Sequence, residues 1–99
     1  MDTLHTTDIP KLIDKEEIEN MKFPQQGITR AKGELETLTR KLNEAMTLGN
    51  VHHSKIKIIF HDSEGLKAVE TTVWVAGKDY ITLKKGVSIP IRNIVDVKF

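Results

Sequence analysis

The 99-residue chain has no cysteine, one tryptophan, one tyrosine, three phenylalanines and three prolines. Without cysteine there is no disulfide framework, thiolate metal site, iron–sulfur cluster or cysteine nucleophile. No apolar run approaches the ~18–20 residues that a membrane-spanning helix needs. Residues 1–20 are acidic and interrupted by Pro10, without the basic start or apolar stretch of a signal peptide. These absences lead to the expectation of a soluble, cytoplasmic protein with no membrane association. A charge surplus is missing too, since 15 Lys and Arg stand against 14 Asp and Glu, a net +1. Nucleic-acid binding by bulk electrostatics is therefore not indicated, and any such role rests on local placement.

What is present suffices for a single domain, with 38% hydrophobic and 29% charged residues. Charge is uneven along the chain. Residues 1–23 carry three basic against six acidic side chains, and residues 51–99 carry eight basic against five acidic. An acidic arm thus precedes a mildly basic body, either as an ordinary solvated surface or as a contact between the two.

Residues 1–13, with Ile9-Pro10, read as an extended or disordered lead-in. A helical segment over 14–50 follows. Asp14 and Glu17 form a capping-box pattern, and Ile13 and Ile18 a hydrophobic staple, for a short helix over 15–22 that Phe23-Pro24 ends. From Ile28 the apolar residues Ile28, Ala31, Leu35, Leu38, Leu42 and Ala45 recur at alternating spacings of three and four, one stripe of an amphipathic helix over 30–48. Gly49-Asn50 supplies the stop. The stripe has two readings: it packs on the body of its own chain, or it pairs helices in a self-associating dimer.

After Asn50 the apolar period changes to two. Ile56, Ile58 and Phe60 alternate with outward Lys55 and Lys57. Asp62-Ser63-Glu64-Gly65 turns the chain into Leu66–Ala76, with Val69, Thr71, Val73 and Val75 on one face and Glu70, Thr72 and Trp74 on the other. Tyr80–Lys84, Val87–Ile91 and Val95–Phe99 complete five short strands over 51–99, with Pro90 marking an edge or a departure from the sheet. Five strands are too few for two well-covered sheets, whereas closure into a small bent barrel removes the edges and leaves a helix to cap an open end. The expected fold class is α+β, with N-terminal helices followed by a five-stranded antiparallel small barrel.

In the order of its elements, residues 55–99 resemble the Sm-like and SH3-like small β-barrels. The stretch runs from Val73 through Gly77-Lys78-Asp79-Tyr80, Ile81–Gly86 and Val87–Ile91 to Ile94–Val97. Arg92-Asn93 stands near the Arg-Gly pair of the Sm-like family, with Asn as the residue next best able to take a left-handed backbone. The resemblance implies assembly into a homo-oligomeric ring and binding of single-stranded RNA.

Motifs for chemistry are scarce. There is no H-E-x-x-H, G-x-S-x-G, Walker loop or dinucleotide fingerprint. His52-His53 would point to opposite faces of a strand, and His5 and His61 have no spacing that converges with them, so no metal or cofactor is expected. Of the carboxylates, Asp62, Glu64 and Asp79 lie in turns, where they bond nearby backbone, and Glu70 lies outward; a non-enzymatic protein is expected. The candidate binding residues are Trp74, Tyr80, Lys84, Lys85 and Arg92, aromatics among bases that suit stacking on unpaired nucleobases. Trp74 has a second reading, as the residue that the helix covers. The function expected is a binding or regulatory module, with single-stranded RNA as partner. The alternative is a protein–protein adaptor or self-associating domain using the Ile28, Leu35, Leu38 and Leu42 stripe.

Overall fold

Alternating burial along Ile56–Asp62 makes it the central strand of the domain: Ile56, Ile58 and Phe60 point into the core while Lys57, Ile59 and His61 point away. The computed structural model describes residues 10–23 and 32–99. In chain order these form β1 (Lys11–Ile13), a 3₁₀ helix (Lys15–Asn20), α1 (Lys32–His52), β2 (Ile56–Asp62), β3 (Gly65–Thr71), β4 (Val73–Ala76) and β5 (Tyr80–Leu83). β6 (Ser88–Pro90) and β7 (Ile94–Lys98) complete the set, joined by the 3₁₀ turn Ile91–Asn93.

The fold is α+β, but the strands form two sheets rather than a closed five-stranded barrel. One sheet has the order β1-β3-β2-β7 and the other β4-β5-β6. Two features explain the difference. The run expected as one strand from Leu66 to Ala76 divides at Thr72: Thr71 pairs with Ile56 in the first sheet, and Val73 with Leu83 in the second. Thr71 and Thr72 are both buried where the chain passes from one sheet to the other. The other feature is β1, which pairs in parallel with β3 through Lys11↔Lys67, Leu12↔Ala68 and Ile13↔Val69. A strand therefore precedes both helices, and Pro10 sits just before it, where no ladder donor is lost.

The short helix expected over 15–22 is a 3₁₀ helix of six residues, too short to repay α-helix nucleation. Glu17 Oε2 accepts the Asp14 N–H at 3.1 Å, and Ile13 and Ile18 both enter the core. In α1, Leu38, Leu42 and Ala45 are buried with the strands, so the described C-terminal part of the apolar stripe packs on its own chain. Ile28 and Ala31 lie outside the described residues.

The helix does not stop at Gly49-Asn50. It continues to His52 and ends at His53, which takes the left-handed backbone (φ 55°) and donates its N–H to the Gly49 carbonyl at 3.0 Å. Gly49 serves close packing instead: a Cβ there would run into the Val73 carbonyl oxygen and lie 2.9 Å from Thr72 Cγ2. The helix is held over β4 by this approach and by the Ala76 N–H, which points at Met46 Sδ at 3.2 Å. Lys41 Nζ meets Asp96 Oδ1 at 2.9 Å and ties the same helix to β7.

Candidate interaction face of the three-stranded sheet

Outside the core, the β4-β5-β6 sheet presents a face built by a bulge. Val73 pairs with Leu83 and Val75 with Thr82, so Trp74 is the extra residue. A bulge turns consecutive side chains toward the same side. Trp74 (43% exposed) and Val75 (52%) both lie open to solvent, and Tyr80 on β5 is 50% exposed. Strict alternation sets Val75 on the same face as Val73, and the bulge is what parts them. Between these residues, the Thr82 and Ser88 hydroxyls share a hydrogen bond at 3.4 Å. The helix comes close to Thr72 at Gly49, while Trp74 is partly open to solvent.

Cations stand at the two ends of this face. Lys84 and Lys85 are exposed on the hairpin tip between β5 and β6, which is tied down where the Lys84 N–H reaches the Thr72 carbonyl at 3.0 Å. At the other end the Ile91 N–H bonds the Asp79 carbonyl at 2.8 Å, setting the half-buried Arg92 in the turn next to the Tyr80 end of β5. Trp74, Tyr80 and Lys84 thus follow a strip about four strand residues long, roughly 13 Å, with Arg92 in the turn beyond its Tyr80 end and Lys85 within electrostatic reach of Glu16 instead; the five candidate residues do not converge on one point.

Lys85 adopts φ 76° and ψ 12°, a left-handed conformation unfavourable for a long side chain. Lys85→Gly is expected to stabilise the domain by about 1 kcal/mol, read as a shift in the urea midpoint. Its charge faces the 3₁₀ helix 15–20. The Glu16 carboxyl is held below its ordinary range by a backbone N–H first, then by Lys15, and in smaller part by Lys85. Over its described residues the acidic lead-in docks on the body of its own chain through the β1–β3 ladder and the buried Ile13 and Ile18.

Asn93 does not take the left-handed backbone suggested by its place after Arg92; among the described non-glycine residues only His53 and Lys85 do. Its side chain is fully buried, with neither Oδ1 nor Nδ2 paired. The turn carboxylates have structural partners. Asp62 Oδ1 accepts the Glu64 N–H (2.9 Å), the Gly65 N–H (3.2 Å) and Lys67 Nζ (3.0 Å), and the pair is buried. Burial alone raises the Asp62 carboxyl, but the Glu64 amide, Lys67 and the Gly65 amide outweigh it and hold it below the usual carboxylate range. Among the described residues no three His, Asp or Glu side chains gather at a metal-sized site, and no helix is long and apolar enough to cross a membrane.

Compared with protein families, curated proteins and solved structures, the chain matches none of them.

Proposed function

We propose that this chain is a non-enzymatic, cytoplasmic binding module that takes single-stranded RNA on the outer face of its β4-β5-β6 sheet. The observation that carries the reading is the exposure of Trp74 and Tyr80 on one sheet face, with Lys84 and Arg92 at its ends. Aromatic faces stack on unpaired bases of any sequence, and cations along the same strip meet phosphates. The order of elements over residues 55–99, through its resemblance to the Sm-like and SH3-like small barrels, supports the same reading.

The test is the affinity of the intact chain for a mixed-sequence single-stranded RNA by fluorescence anisotropy. Trp74→Ala should weaken binding by about 1–3 kcal/mol, the worth of one stacked base. Lys84→Ala and Arg92→Ala should weaken it and flatten its salt dependence. Absence of saturable binding at low salt removes the proposal.

One observation favours a second reading, a self-associating or adaptor domain. Leu35 is 49% exposed, and residues 33–37 of α1 all face solvent, ahead of the buried Leu38. Light scattering on the intact chain and on Leu35→Glu separates the two: a multimeric mass that falls on substitution supports pairing through this end of the helix.

A further inference from the structure

A second surface lies on the other sheet. Lys57 on β2 is directly opposite Lys98 on β7, with Glu70 of β3 on its other side. Lys55, Ile56 and Phe99 complete the lining of a groove of about 370 Å³ at this end of the sheet. Like charges directly opposite one another weaken a strand pair. Among the described residues none of the three lysines has a carboxylate within ion-pair distance. Asp96 feels the field of Lys98, but its Oδ1 is taken by Lys41 at 2.9 Å. A neighbouring groove shares Lys55 and Glu70 and continues toward Asp14, Glu16 and Glu17, whose charges repel an anion from that end.

We infer that this groove is a site for a nucleotide phosphate. Lys55, Lys57 and Lys98 meet the phosphate oxygens, the exposed ring of Phe99 offers a wall for the base, and Glu70 accepts hydrogen bonds from sugar hydroxyls. The volume suits a ligand of this size. The source is either a free nucleotide or the phosphorylated end of a strand. The inference stands apart from the reading of the β4-β5-β6 face, because it uses none of the same residues.

The experiment is calorimetric titration of the intact chain with ADP, pyrophosphate and adenosine, and with a 5′-phosphorylated RNA oligomer. ADP is expected to bind saturably, and pyrophosphate more weakly. The double variant Lys57→Gln, Lys98→Gln should weaken ADP about tenfold or more through the loss of two charged contacts. Lys57→Arg, Lys98→Arg should keep most of the affinity, which separates lost charge from damage to the fold. Phe99→Ala should weaken ADP and leave pyrophosphate unchanged. Trp74→Ala should leave ADP binding intact, so failure here and failure of the sheet-face reading are distinguishable. If only the phosphorylated oligomer responds to the lysine variants, the source is a strand end. If neither ADP nor the oligomer binds, or if both bind the glutamine variant as well as the natural chain, the site is overturned.

Discussion

Asp62→Ala is expected to cost about 3–5 kcal/mol of stability, the range for removing one partner of a buried ion pair. The substitution leaves Lys67 charged and buried, facing only the exposed Glu64 at 3.5 Å, and frees the Glu64 and Gly65 amides that close the β2–β3 turn. These two strands form the longest ladder in the domain, from Ile56↔Thr71 to Asp62↔Gly65, so the damage falls on the central pairing. Adding Lys67→Met should recover a large part of the loss, because the unpaired charge is then gone. Urea unfolding followed by circular dichroism measures both.

The same pair sets a pH dependence. The folded Asp62 carboxyl lies below the ordinary carboxylate range, so its contribution is present above the ordinary value and is lost as pH falls through the folded one. Burial alone lowers Lys67, but Asp62 and then Glu64 outweigh it and raise the ammonium above 10.5. Its contribution is present below that value and is lost as pH rises through the folded one. Stability of the natural chain should therefore decline at both extremes, and the acid limb should be shallower in Asp62→Asn.

Gly49→Ala should lower stability by about 2–3 kcal/mol even though alanine is the better helix former by about 1 kcal/mol. The added methyl meets the Val73 carbonyl oxygen, a backbone atom held by the β4–β5 ladder, and cannot be relieved by a rotamer change. Separation of α1 from β4 is the remaining response. Gly33→Ala is the control on the same helix: nothing lies within 4 Å of its added Cβ, and it should raise stability by about 1 kcal/mol. Opposite signs for one chemical change would establish that the helix is pressed against the sheet at Gly49 and free at Gly33.

Local patterns carried much of the fold. The spacing of Leu38, Leu42 and Ala45 marks the buried side of α1, and the alternation of Ile56, Ile58 and Phe60 marks the inner face of β2. The alternation of Ile81 and Leu83 likewise turns Tyr80 outward, whereas Trp74 owes its place to the bulge, which alternation does not signal. Features made by distant contacts were not. The β1–β3 pairing joins Lys11 to Lys67 and has no short-range signal, and the division at Thr72 depends on which partner each neighbouring residue finds. Gly49 next to Asn50 has the composition of a helix stop, yet its role is to let the Val73 backbone come close. Outward lysines were visible at positions 55 and 57, but only the β2–β7 register sets Lys98 beside Lys57.

The most direct test of the binding account uses the single tryptophan. Trp74 emission should be recorded while mixed-sequence single-stranded RNA is added to the intact chain at low and at moderate salt. The account predicts saturable quenching that weakens as salt rises, because the ring stacks on a base while the flanking cations hold phosphates. Emission that stays constant while the RNA demonstrably binds would place the ligand elsewhere on the molecule. Constant emission with no binding would contradict the RNA reading itself.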